Sequence, residues 1–313
     1  MTPSDDVAIA APAAAATETE GSSKPSAPKV AAPADGVRAL VRRTLRAPGA
    51  KVGLVLVLLV AALAFLGPLF VPHDPTITLG APYAPPGGDF LLGTDLLGRD
   101  VLSRLLDGGA LILFLALVAT VVGVGLGIVL GLTAGYRRGV RGELIMRSLD
   151  IVLSFPPLLL ALLFMSLLGT DPWLILVTVA VSHVPYVARI AESSTLSVTG
   201  RGFVEYCEMI GVPRRRILSG EVLPAIVAPL TVQFGLRLTY SISLIASLAY
   251  LGFGRQDPAV DWGMMINQNQ SNVVSSPLPV LLPVLAITVV TVGANLLSDS
   301  FGRAVGIDRS MEG

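Results

Sequence analysis

Six apolar runs, each about as long as a bilayer is thick, leave this chain few folds to choose from. Val52–Val71 contains no charged residue, and further apolar stretches follow near 110–135, 146–169, 173–194, 225–251 and 278–299. A helix needs about 20 mostly apolar residues to cross the hydrocarbon core. Lipid supplies no hydrogen-bond partners, so a spanning segment must satisfy its backbone internally, as helix or closed barrel. Runs of this length specify helices. The expected fold is an all-α integral membrane protein with six transmembrane helices. Composition agrees, since only 14% of residues are charged against roughly 25% in soluble domains.

The placement of Lys and Arg orients those helices, because short cytoplasmic loops hold the excess of positive charge. Arg38, Arg42, Arg43, Arg46 and Lys51 precede the first run, the Arg137–Arg147 turn follows the second, and Arg201–Arg216 follows the fourth. Arg303 and Arg309 lie past the last. The alternate loops hold only Arg99, Arg104 and Arg255. Both termini are therefore expected in the cytoplasm. Residues 1–36, rich in Ala, Pro, Ser and Thr, read as a disordered tail. Asp5 and Asp6 stand where a signal peptide would be basic.

Several chemistries find no support. The net charge is zero, so nothing attracts nucleic acid in general. Cys207 is the single cysteine, which rules out an intrachain disulfide or a cysteine metal cluster. His73 and His183 lie far apart and are read as structural, with no metal site expected. The chain has no GxxxxGK[ST] loop and its last lysine is Lys51, so it lacks the means to hold ATP phosphates. No Ser/His/Asp grouping falls in the spans, and no catalytic or cofactor-binding residue is expected. An ion-coupled carrier places ionisable groups at mid-membrane, where each costs about 2.5–3.5 kcal/mol or more. Here Arg237 is the one deep charge, while Asp150 and Glu192 fall near span ends.

Within the spans, Gly123, Gly127, Gly131 and Gly135 recur every fourth residue. They form a small-residue face that lets another helix backbone approach closely. Gly123–Gly127 lacks the strand-turn-helix setting of a phosphate loop. In the third span, Ser154-Phe155-Pro156-Pro157 is expected to bend the helix, since prolines remove backbone donors.

Between the fourth and fifth spans, Phe203, Tyr206, Cys207 and Ile210 fall at helical spacing on one face. Gly211 stops that short helix, and Pro213 suits the first turn of another. Two readings stay open on these residues alone: a helix that docks in a groove of a cytoplasmic partner, or a basic loop that only sets topology. The stretch resembles the EAA loop of bacterial ATP-binding-cassette importer permeases at Glu205, Gly211, Leu223 and Pro224. It departs from the pattern at Tyr206 and Cys207, where small residues are usual, and at Glu221.

The run Leu92-Gly93-Thr94-Asp95-Leu96-Leu97-Gly98-Arg99-Asp100-Val101-Leu102-Ser103-Arg104 is similar to a segment of the dipeptide/oligopeptide/nickel permease family, in its second (C-type) subunit. Leu251-Gly252-Phe253-Gly254, Asp261-Trp262-Gly263 and Asn295-Leu296-Leu297-Ser298-Asp299 resemble the same family. The resemblance implies a type I importer permease in the bacterial inner membrane, surrounded by lipid. It would pair with a homologous permease, two ATPase subunits and an extracytoplasmic substrate-binding protein. It also implies an organisation: residues 37–106 for the first span and an extracytoplasmic segment, 107–303 for the permease core with coupling loop 199–222, and 304–313 for a cytoplasmic tail. Phe203, Glu205, Tyr206, Cys207, Gly211, Leu223 and Pro224 would then couple to the ATPase. Gly93, Thr94, Asp95, Gly98, Arg99, Asp100 and Arg104 would form an extracytoplasmic motif, either ion-paired internally or a solvated helix face. Di- and oligopeptides lead as solutes, with nickel chelates, glutathione and other small metabolites behind them. Many relatives carry an acid where this chain has Ile245, so the resemblance leaves the solute open.

Overall fold

A computed structural model describes residues 44–136, 139–200, 202–256 and 258–311, together with Arg42. The tail 1–36, the basic residues Arg38, Arg43, Arg137, Arg138 and Arg201, and the side chains of Phe203 and 305–311 lie outside that description. The described residues form helices and connections, with no strand beyond two isolated bridges in the 87–100 region.

Helix α1 (Pro48–Leu66) ends in a 3-10 turn at Gly67–Phe70. Its first-turn proline has no amide to leave unpaired and a φ already set for helix. Val55, Leu58, Leu59 and Phe65 project from it uncovered, as suits a helix facing lipid. An irregular connection leads to α2 (Val101–Asp107) and then α3 (Ala110–Tyr136). Helix α3 lies along α6 (Pro172–Thr199), and the four spaced glycines are the reason it can. A Cβ on Gly123 would come 2.5 Å from Ala180 O, on Gly127 2.6 Å from Val187 Cβ, and on Gly135 2.8 Å from Glu192 O.

The third apolar run bends sharply at its prolines. It makes two helices, α4 (Val140–Leu153) and α5 (Pro157–Leu168), set at 79° to each other. Neither Pro156 nor Pro157 can donate to a preceding turn, and a proline disfavours α geometry in the residue before it. Pro156 accordingly turns extended, with ψ 128°, and Pro157 starts afresh at the first turn. Ser154 closes α4, its hydroxyl donating to Asp150 O at 3.0 Å. The expected turn at Arg137–Arg147 is mostly helix, because α4 begins at Val140.

After α6 come α7 (Gly202–Met209), α8 (Arg214–Ile217) and a π turn at Leu218–Val222. Helix α9 (Leu223–Leu248) passes through a second π turn, Ala249–Phe253, and then α10 (Trp262–Asn269) and α11 (Leu278–Met311) complete the chain. Five helical stretches are long and apolar enough to span, and six if the bent pair counts as one. Two apolar clusters hold them together. One surrounds Trp262, Ile112, Met165 and Leu248, and the other joins the ends of α3 and α6 to Val204, Ile217 and Val222.

Candidate functional site

Helix α7 is built to present a face. Val204 is buried, and Cys207 and Val212 pack with it against the ends of α3 and α6. The outer side carries Tyr206, Met209 and Ile210, which are 60%, 73% and 59% exposed. The structure thus splits the face read from sequence: Cys207 turns inward, while Tyr206 and Ile210 turn outward. The inner pair Val204/Cys207 is three residues apart, and the outer set follows at the complementary helical positions.

A Schellman motif closes α7. The Gly211 N–H donates to Glu208 O and the Val212 N–H to Cys207 O, both at 3.0 Å. This requires φ of +79° at Gly211, a left-handed value that glycine adopts without steric cost. Pro213 then sits just before α8, extended, and not in its first turn. The tie from α7 to the membrane helices runs through Glu208, which accepts from the Tyr136 hydroxyl at the end of α3. Glu205 is exposed and, with Tyr136, Thr199, Glu208 and Arg214, lines an open cleft of about 700 Å³. Leu223 and Pro224 begin α9, directly after the π turn.

The second constellation is the 92–104 motif. Gly98, with φ of +71°, brings the chain against Gly80, where a Cβ would meet the carbonyl oxygen at 2.1 Å. Gly93, at φ +76°, meets Ala84 O in the same way. Thr94 is buried, donating to Ala81 O at 2.6 Å and accepting from the Ala84 amide at 2.7 Å. Asp95 Oδ1 accepts from the Leu97 and Arg99 amides, each at 2.9 Å, and Oδ2 pairs with the Arg104 guanidinium. Arg104 is fully buried and also donates to Gln268 Oε1 at 3.0 Å. Asp100 caps α2 through the Ser103 amide, and His73 Nδ1 lies 3.4 Å from its carboxylate. Arg99 is buried as well. These charges face inward and order the segment; they do not make a solvated face.

Their counterpart is α10. Asn269 Oδ1 accepts from the Leu96 amide at 3.0 Å, Trp262 Nε1 donates to Leu105 O at 2.9 Å, and a Cβ on Gly109 would strike the Trp262 ring at 2.2 Å. Two motifs more than 150 residues apart therefore form one buried joint. Asn269 and Gln268 carried no sequence signal of their own.

Asp261 caps α10, its Oδ1 accepting from the Gly263 and Met264 amides at 2.7 and 3.4 Å. Burial raises its pKa above the ordinary 3.8, against the lowering effect of those amides and of Arg255. A raised folded-state value means that ionised Asp261 opposes folding near neutral pH and that this penalty is relieved as pH falls through the raised value. Asp261→Asn, which keeps the cap acceptor, is expected to be as stable as the parent or more so at pH 7. The difference should shrink on acidification toward 3.8 in thermal melts of the purified protein. Asp261→Ala, which loses the cap, should cost about 1 kcal/mol.

Inside the spans a polar cluster joins α3, α6 and α9. Ser241 Oγ lies 2.8 Å from Thr120 Oγ1 and 2.6 Å from His183 Nε2, and Tyr240 meets the His183 ring edge-on. One turn earlier, Arg237 sits over the rings of Tyr186 and Tyr240, 4.7 and 5.7 Å from their centroids. Asp150, the nearest acid to mid-span by sequence, instead pairs with Arg189 at the surface.

Residues 127–307 match the family model for binding-protein-dependent transport system inner membrane components, and residues 38–86 match the N-terminal TM domain of oligopeptide transport permease C. The glutathione transport system permease protein GsiD of Pectobacterium atrosepticum is 34% identical over 84% of this chain and 88% of its own. A putative peptide transport system permease protein of Brucella abortus is 31% identical over 87% and 92% respectively. Among solved structures, an inward-facing MetNI methionine ABC transporter chain aligns with a TM-score of 0.43 and 20% identity, over 60% of this chain and 94% of that one.

Proposed function

Because the chain belongs to the binding-protein-dependent transport system inner membrane components, we propose that it forms half of the translocation pathway of an ATP-driven importer of short peptides. It is a multi-pass membrane permease and not itself the catalyst. A homologous permease supplies the other half of the pathway, two ATPase subunits bind on the cytoplasmic side, and an extracytoplasmic binding protein delivers the solute. Both termini face the cytoplasm, as the Arg and Lys distribution argues.

The observation that carries this reading is the outward apolar face of α7, Tyr206, Met209 and Ile210, on a helix tied to α3 through Tyr136 and Glu208. An exposed aromatic and two aliphatics on a short rigid helix suit a groove in a cytoplasmic partner. Closure of the ATPases would push on α7, and the Tyr136–Glu208 tie and the α8–α9 junction would pass that push to the spans. Peptides, glutathione included, are favoured as solutes by the named transport systems of the relatives.

Mild-detergent purification followed by mass spectrometry tests the assembly. The unaltered chain should bring down a second permease and ATPases bearing phosphate loops. Tyr206→Ala removes an aromatic anchor, a change worth about 2 kcal/mol at such positions, and should reduce recovery of the ATPases but not of the second permease. Gly211→Val meets no atoms but strains the left-handed turn by about 1–2 kcal/mol, and should lower peptide uptake in the same direction. Recovery of the chain alone, with ion-driven uptake in vesicles lacking ATP, would overturn the proposal.

A further inference from the structure

The cation at Arg237 has no carboxylate partner among the described residues, and its Nε is buried without a hydrogen bond. It lies 14 residues into α9, roughly 21 Å along the helix, in the middle of the span. A mid-membrane charge persists where it faces a cavity, a pathway or an opposite charge.

The surface of α9 indicates which. In the most apolar stretches of both α1 and the Arg214–Phe253 span, only 22% of residues are buried within the chain. Apart from Lys51 in its first turns, the uncovered residues of α1 are apolar, mostly Val, Leu and Phe, which lipid covers without cost. Those of α9 include Tyr240, Ser243 and Ser247, spaced along one helical face. With Arg237 they make a polar stripe ten residues, or about 15 Å, long. A guanidinium on such a stripe is costly to leave in lipid, and the core of a permanent protein interface is depleted of charge. A wetted pathway fits both constraints.

Beside Tyr186 and Tyr240, with Nε buried, the guanidinium has its terminal Nη1–Nη2 edge left for a ligand, and that edge can donate two parallel hydrogen bonds to a carboxylate. We propose that Arg237, held between Tyr186 and Tyr240, is a subsite of the translocation pathway that recognises a carboxylate of the solute in transit, such as the C-terminal carboxylate of a peptide. This rests on the importer reading above and specifies which part of the solute the pathway itself reads. The Ser243 and Ser247 hydroxyls, which donate back to Thr239 O and Ser243 O, keep acceptor capacity for the remainder of the solute.

The test uses the assembled complex in proteoliposomes with its binding protein, ATP, and a pool of short synthetic peptides supplied as free acids or as C-terminal amides. Solute entry is measured by mass spectrometry alongside ATP hydrolysis. Arg237→Gln is expected to lower the number of free-acid peptides carried per ATP about tenfold, the effect of losing 1.4 kcal/mol. Arg237→Lys, which keeps the charge without the fork, should lower it less, and amide entry per ATP should be the same with Arg or Gln. Unchanged free-acid entry per ATP in Arg237→Gln would overturn the inference. So would a loss of assembled complex, which would assign Arg237 to an ion pair with the partner permease. If the unaltered complex carries neither pool, the peptide-importer reading itself fails, before any variant is compared.

Discussion

Arg104→Met is expected to destabilise the protein by about 3–5 kcal/mol, because it leaves a buried carboxylate without its counter-charge. Asp95 is 1% exposed and Arg104 is fully buried. The two Asp95 amide contacts, from Leu97 and Arg99, survive the change. They offset part of the loss but supply no positive charge. Gln268 loses its donor at the same time. Adding Asp95→Asn should recover a substantial part of the loss, since Asn still accepts from the amides and carries no charge to bury. Trp262 is a built-in reporter. The chain has two tryptophans, so Trp173→Phe isolates the one packed on Gly109. In that background Arg104→Met should shift Trp262 emission to the red and lower the unfolding temperature, and the double change should reverse both in part. An unmoved emission and melt would show that α10 and the 92–104 segment do not depend on the pair.

Gly131→Val is expected to cost about 3 kcal/mol, at the upper end for overpacking a close contact. An added Cβ would stand 2.3 Å from Ala188 O and 2.6 Å from Ala191 Cβ. The first neighbour is backbone and cannot rotate away, so α3 and α6 must separate. Gly125→Val is the matched control. It lies on the same helix and changes propensity by the same amount, but its Cβ meets nothing within 4 Å. The first variant should fold in much lower yield and melt earlier in detergent, and the second should match the parent. Equal behaviour of the two would mean that the glycine face does not govern how closely the helices approach.

These two sites were legible to different degrees. The glycine face shows in the sequence because its four-residue spacing is a local, helical property. The 92–104 motif was visible as charged residues at a definite spacing, yet its residues fitted an ion-paired segment or a wet helix face equally well. What separates those is whether something covers the motif, and the cover, α10, lies about 160 residues away in the chain. The same holds for α7. Periodicity put Phe203, Tyr206, Cys207 and Ile210 together, but only the position of the α3 and α6 ends turns Cys207 inward and leaves Tyr206, Met209 and Ile210 uncovered. At Ser154–Pro157 a bend was readable from proline chemistry. Its size, and the division into two helices at 79°, were not.

The sequence by itself determined that the chain lives in lipid, about how many times it crosses, that the chain bends at Ser154–Pro157 and which helical faces are small. Each follows from local chemistry: apolar length, missing amide donors, and side-chain volume at helical spacing. The tertiary structure alone decided which polar groups are buried together and which surfaces are left over. It joined Asp95 and Arg104 to Gln268, set Ser241 between Thr120 and His183, and left Arg237 among aromatic rings on an uncovered polar stripe. Burial and charge pairing depend on what packs across the membrane from distant parts of the chain, and no local pattern encodes the identity of that neighbour.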